Sequence, residues 1–257
     1  MTYEKKIVIG CILFLLFILF SISPGFLWVN FNKNLISVNQ LQNVYIRDIK
    51  FLNLKECSKI KRIILKNKSL WIHRNILLAT LGKASYMHDS MNQIVIKENN
   101  KMLLTMFPRI YNNLLEVLSK ILERKVVFKK NTFLPGFHIF EESCLFNKNV
   151  TSFHVDLQYE NINTLNCKTD KVISFTIPID LPKDTSGLYM FQADKTCDKW
   201  SASKSKKALI EYSIGYLYLH DGNHYHIMKP SKIGKNEYRI TLQGHGILCN
   251  GVWNIYW

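Results

Sequence analysis

His154 and Asp156 stand two residues apart in the run FHVDLQY, and His226 follows far downstream in HYHIMKP. Along an extended chain alternate side chains share a face. His154 and Asp156 would therefore point one way together with Gln158, and Val155 and Leu157 the other. Two imidazoles and one carboxylate make a facial donor set suited to Fe(II), with open positions left for a co-substrate and O2. Further on, Arg239 and Thr241 share a face in RITLQGHG. A guanidinium there could grip the far carboxylate of a 2-oxo acid through two parallel hydrogen bonds. Arginine is scarce in this chain, 6 residues against 28 lysines, so its use at 239 suits a bidentate task. His220, His224 and His226 crowd one hairpin. His226 is the preferred third donor, His224 shares its strand face as the alternative, and His220, in LHDG, reads as a turn or outer residue. The bland readings are a solvent-facing strand for H-x-D and a surface ion pair for Arg239, worth about 0–1 kcal/mol. One H-x-D carries little alone; the downstream histidines favour the metal.

The elements that must position these residues change character along the chain. Residues 44–130 read as mainly helical support. The clearest helix starts at Pro108, with Ile110, Leu114, Leu118, Ile121 and Leu122 at helical spacing. A second helix is predicted over residues 69–81, ending at Gly82. From Phe133 onward the period becomes two. Ile173, Phe175, Ile177 and Ile179 alternate, as do Tyr212, Ile214, Tyr216 and Tyr218, then Tyr238, Ile240 and Leu242, with VWNIYW closing the chain. Turn signals at 182–187, 221–223 and 231–236 separate these strands. Many short strands in one block predict an α+β fold with a jelly-roll core over residues 131–257 and helices flanking it on the N-terminal side. Residues 195–207, rich in lysine, read as a solvated loop.

Residues 7–31 carry no charge. At about 1.5 Å per residue they could cross a bilayer core of roughly 30 Å as one transmembrane helix, with Trp28 and Phe31 at the interface. The rivals are a cleaved signal peptide, with an apolar region at 7–20 but no A-x-A-like site, and a helix packed on the domain. The expected layout is a cytosolic tail and anchor at 1–31, a stalk at 32–43 and the domain at 44–257. Lys5 and Lys6 before the segment, against Lys33 after it, place the domain on the lumenal or extracellular side of a single-pass membrane protein. The tripeptides Asn67-Lys68-Ser69 and Asn149-Val150-Thr151 would suit that side.

The formal net charge is +15, but the basic residues are scattered, and no basic stripe with interleaved aromatics marks a nucleic-acid surface. No D-x-D motif supports a metal-dependent glycosyl transferase. Cys57, Cys144, Cys167, Cys197 and Cys249 lie outside the apolar segment without a C-x-x-C, a pattern that fits a reducing compartment or one to two disulfides.

The runs PGFHIF (135–140), HVDLQ (154–158), LHDG (219–222), HIMKP (226–230) and RITLQGH (239–245) together resemble the Fe(II)- and 2-oxoglutarate-dependent dioxygenase superfamily. The order is shared: H-x-D, a long gap, a distal histidine, then an arginine about a dozen residues later. The resemblance covers roughly residues 133–257. It implies a double-stranded β-helix, iron ligation by His154, Asp156 and His226, and the C5 carboxylate of 2-oxoglutarate on Arg239 with Thr241. It further implies O2 and 2-oxoglutarate as co-substrates and a hydroxylation coupled to oxidative decarboxylation. His138, Gln158, Tyr159 and Gln243 match no shared position and are pocket candidates only. The contrasting class is a non-catalytic binding module on the same scaffold, since a fold does not guarantee activity.

Overall fold

A computed structural model describes residues 29–75, 78–87, 92–142, 152–184 and 186–257. In chain order, β1 (Leu35–Ile36) and β2 (Ile46–Lys50) lead into helix α1 (Leu54–Lys66). Strands β3 (Ile72–His73) and β4 (Leu78–Leu81) come next, then helices α2 (Gln93–Met106) and α3 (Pro108–Leu122). Strands β5 (Val126–Phe128), β6 (Gly136–Phe140), β7 (Cys167–Asp180) and β8 (Gly187–Asp194) follow. A short helix α4 (Lys199–Ser203) precedes β9 (Lys207–Glu211), β10 (Tyr216–Asp221), β11 (His224–Met228), β12 (Arg239–Cys249) and β13 (Val252–Tyr256).

The strands form two sheets. The larger runs β2-β10-β7-β12-β6-β4-β3, with β13 on the second half of β12 and β5 beyond it; the smaller runs β1-β9-β8-β11. Strand β7 shows why the larger sheet has two different faces. Its alternate residues Ile173, Phe175, Ile177 and Ile179 join the main core, which also holds Ile60 and Ile64 of α1 and Leu114 and Leu118 of α3. Burying each such side chain stabilises the fold by about 1.5–3 kcal/mol. The residues between them, Ser174 and Thr176, are buried as well, and they face the cavity described below.

Helix α3 begins with Pro108 in its first turn and buries Ile110, Tyr111, Leu114 and Leu118, as the periodicity predicts. Helix α1 begins at a reciprocal cap. Asn53 accepts from the Glu56 backbone at 3.0 Å, and the Glu56 carboxylate accepts from the Asn53 backbone at 2.8 Å. A disulfide joins Cys167 and Cys249, which are register partners at the start of β7 and the end of β12. Cys57 and Cys197 are free, while Cys144 lies outside the described residues. At Gly136 a Cβ would fall 1.9 Å from the Trp257 ring, so glycine there makes room for the indole.

Several expectations are corrected. The helix expected over 69–81 is replaced, among the described residues, by the end of a 3-10 turn (Lys68–Leu70) and the strands β3 and β4. The Asn75 side chain accepts from the Leu78 backbone at 2.9 Å and turns the chain, and β4 then pairs with β6, burying Ala79 and Leu81. The described residues of 44–130 therefore include strands β2 to β5 as well as helices α1 to α3. The alternation at 212–218 is not one strand. Gly215, at φ +82°, accepts from the backbones of Phe51 and Leu52, and β10 starts only at Tyr216. Residues 32–43, expected as a stalk, carry β1, which pairs in parallel with β9. The 195–207 stretch holds α4, capped by Asp198, and ends at Lys207, which is 1% exposed. Residues 1–28 of the expected anchor, and the tripeptide at 149–151, lie outside the described residues. Among the described residues no helix is long and apolar enough to cross a membrane.

Candidate metal centre

Local backbone pairing places the triad. His154 forms one isolated antiparallel bridge with His226 of β11, and the Asp156 backbone donates to Gly222 at 2.9 Å. Residues 153–159 are thus not the continuous strand that alternation implies. Gln158 already begins a 3-10 turn, although its Nε2 still donates to Asp156 Oδ1 at 3.2 Å. One potential ligand atom from each of His154, Asp156 and His226 lies within 4.8 Å of the others. His154 Nε2 is 3.6 Å from Asp156 Oδ1, and His226 Nε2 is 3.5 Å from Asp156 Oδ2.

The tautomers follow from the other ring nitrogens. His154 Nδ1 is 2.8 Å from the Ser152 carbonyl, and His226 Nδ1 is 3.0 Å from the His224 carbonyl. A carbonyl only accepts, so each Nδ1 carries a proton, and in the neutral ring that binds a metal each Nε2 turns a lone pair inward. Two lone pairs and a carboxylate, all acceptors, then converge on one point. That donor set fits a divalent cation, and the facial arrangement fits Fe(II).

Outer partners hold the carboxylate. The Ser174 hydroxyl donates to Asp156 Oδ2 at 2.5 Å and sits 3.0 Å from His245 Nδ1, from which it can accept. Burial pushes the Asp156 pKa up, but the imidazoles of His226, His245 and His154 outweigh it and hold the group well below the usual carboxylate range. Burial pulls His154 down, but the Asp156 carboxylate outweighs that and leaves it raised. Burial pushes His226 down to about 3, and it lowers His220 and His245 as well.

The triad opens into a cavity of about 440 Å³ lined by both sheets. Arg239 projects into it from β12 and is 1% exposed. Its Nε donates to Ser186 Oγ at 3.0 Å, while Nη1 has no hydrogen-bond partner. No carboxylate among the described residues pairs with it, and burial pushes its pKa down to about 10. A buried, unpaired guanidinium is costly alone and suits an anionic ligand.

The remaining candidates divide. His138, Gln158 and Gln243 line the cavity, and the Tyr86 hydroxyl is 3.3 Å from His138 Nε2. Thr241 is fully buried but does not line the cavity; its hydroxyl accepts from Gln243 Nε2 at 3.3 Å. It keeps the face of Arg239, Gln243 and His245, opposite Ile240 and Leu242 in the core; the irregularity beside it lies in β7, where Ile179 is passed over. Tyr159 does not line the cavity either. Of the two histidines left open, His226 joins the cluster and lines the cavity, whereas His224 lies against Asp221, Nδ1 to Oδ2 at 3.2 Å, and does not line it. Ser174, Thr176, Tyr212, His245 and Trp257 were not among the sequence candidates. The signal for Ser174 and Thr176 was present, as hydroxyls alternating with aliphatic residues in KVISFTIPID.

Among solved structures, the chain is similar to an N-substituted L-amino acid dioxygenase from Burkholderia ambifaria, crystallised in complex with α-ketoglutarate. Identity is 10%, with 82% of this chain and 85% of that one covered, at a TM-score of 0.50. The chain shares the fold of that dioxygenase. An oxidoreductase of the 2OG-Fe(II) oxygenase family from Burkholderia pseudomallei is also similar, at 9% identity over 80% of this chain and 85% of that one, with a TM-score of 0.47. No family model matches the chain, and no curated protein matches it.

Proposed function

We propose that this protein is a membrane-anchored Fe(II)/2-oxoglutarate-dependent oxygenase that hydroxylates its substrate, built on a double-stranded β-helix within residues 44–257 and tethered through residues 1–31. The observation that carries this reading is the convergence of two imidazole Nε2 atoms and one carboxylate on a cavity that also holds a buried arginine with no carboxylate partner. His154, Asp156 and His226 would hold the iron. Bound iron would supply O2 activation coupled to decarboxylation of the 2-oxo acid.

The chain's own residues do the rest. Arg239 binds and orients the far carboxylate of 2-oxoglutarate, replacing water around a charge the fold leaves unpaired. Ser174 and Gln158 fix the Asp156 carboxylate, one on each oxygen. The Ser152 and His224 carbonyls fix the imidazole tautomers. Leu188, Met228 and Phe140 add apolar lining that excludes water from the reacting centre.

An anaerobic titration of the full chain with Fe(II) and 2-oxoglutarate tests this, read by the visible charge-transfer absorption of the chelate. The band should require both additions and disappear in Asp156→Ala. A folded protein that gives no band would be a binding module on this scaffold instead.

A further inference from the structure

The described chain opens at Val29, directly after the uncharged residues 7–28. Val29 is buried in a small apolar cluster with Phe153, Tyr189, Phe191 and Ala202, and Phe31 packs on Tyr189 with ring centroids 4.7 Å apart. Ala202 belongs to α4, so the chain enters the fold against that helix. Polar ties repeat the contact. Asn34 Nδ2 donates to the Lys204 carbonyl at 2.6 Å, the Lys207 backbone donates to Asn34 O at 3.1 Å, and the Lys207 ammonium donates to the Lys33 carbonyl.

The outer side of this junction has an uncommon composition. Trp200 of α4 is 62% exposed, and the Lys204 ammonium lies 3.9 Å from its ring centroid. Lys206 and Lys33 are exposed too, Lys33 next in sequence to Asn34, which is bonded to Lys204, and Leu35 on β1 is 48% exposed. A surface cation–π pair accounts for Trp200 and Lys204 alone. It leaves the further lysines and the bare leucine unexplained. Indoles with one wet edge and lysines that reach toward phosphate belong at a membrane–water boundary, the lysines adding attraction to anionic headgroups.

We propose that the α4 face, with Trp200, Lys204, Lys206 and Lys33, rests on an anionic phospholipid surface beside the point where residues 7–28 leave the bilayer. This rests on the anchor reading and is independent of the oxygenase chemistry. It sets how the domain sits on the membrane, with α4 down.

The test uses the full chain in vesicles of phosphatidylcholine and phosphatidylserine, with or without brominated acyl chains, which quench nearby indoles. Subtracting Trp200→Phe from wild type isolates the Trp200 emission, since the other tryptophans are common to both. Trp200 emission should lie to the blue and lose most of its intensity in brominated vesicles. It should recover in Lys204→Gln/Lys206→Gln, or when phosphatidylserine is left out. A chain that floats with the vesicles while Trp200 ignores bromine overturns the inference and leaves the anchor standing. A chain that does not float overturns both. Shielding of Trp200 that grows only with protein density points to contact between copies and overturns it too.

Discussion

His154 and His226 exchange both backbone hydrogen bonds across a single bridge: His154 N donates to His226 O at 3.1 Å, and His226 N to His154 O at 2.8 Å. Residues 72 positions apart are thereby locked in register, by the arithmetic of their numbers 226 and 154. The imidazoles need no longer strand to meet, because the same pairing that ends the bridge sends both side chains into the cavity, with ring centroids 4.5 Å apart.

Ser174 is expected to tune the metal without touching it. Ser174→Ala removes the donor on Asp156 Oδ2 and frees the carboxylate to rotate. Metal affinity should fall by about 10–100-fold, with partial recovery in Ser174→Thr. Competition titration with Co(II) against a chelator measures this; equal affinity in wild type and Ser174→Ala would remove Ser174 from the design.

Arg239 trades stability for ligand binding. Arg239→Met should stabilise the ligand-free protein by about 1–3 kcal/mol, because a buried charge without a carboxylate partner, its Nη1 unbonded, is lost at the expense of one bond to Ser186. The same change should weaken 2-oxoglutarate binding at least about tenfold, the worth of a hydrogen bond to a charged group. Thermal melts beside ligand titration separate the two; a less stable variant with intact binding would contradict the assignment.

Acid should unfold the metal-free protein early. Burial pushes His138 down to about 3 from an ordinary 6.5. Below pH 6.5 the unfolded chain takes up a proton that the folded chain refuses. This contribution is therefore complete above about pH 6.5 and is lost as pH falls toward about 3. His220, His226 and His245 act in the same sense, and raised His154 opposes them. Urea midpoints at pH 7 and pH 5 should differ accordingly, and by less in His138→Gln.

The Cys167–Cys249 disulfide closes a loop of sequence separation 82. By chain entropy it should contribute about 4–5 kcal/mol. Cys249→Ser, or reduction, should lower the melting temperature markedly while leaving metal affinity nearly unchanged, since neither cysteine lines the cavity.

The triad and Arg239 were legible because each is a rare residue type in a telling neighbourhood. Helix α3 and strand β7 were legible because their apolar period is long and unbroken. Residues 69–81 misled because Leu70, Ile72 and Leu77 sit among residues that suit a helix equally well, and pairing with β6 decides the matter from more than fifty residues away in sequence. Thr241 shares Arg239's face as alternation predicts, but Gln243 takes up its hydroxyl and it does not line the cavity, a matter of depth that alternation does not carry. Ser174 and His245 acquire meaning only once β7 and β12 lie side by side, where they are register partners. The alternation in KVISFTIPID sets Ser174 on the face opposite the core, but not that it meets His245.

The fit between Gly136 and Trp257 ties two distant positions into one heritable unit. A side chain at 136 would collide with the indole at 257 where it now lies, so one of the two must give way. Among descendants of this sequence, any lineage that replaces the glycine must shrink or move the tryptophan. A lineage that shrinks the tryptophan redraws one wall of the cavity and, with it, what the cavity can hold.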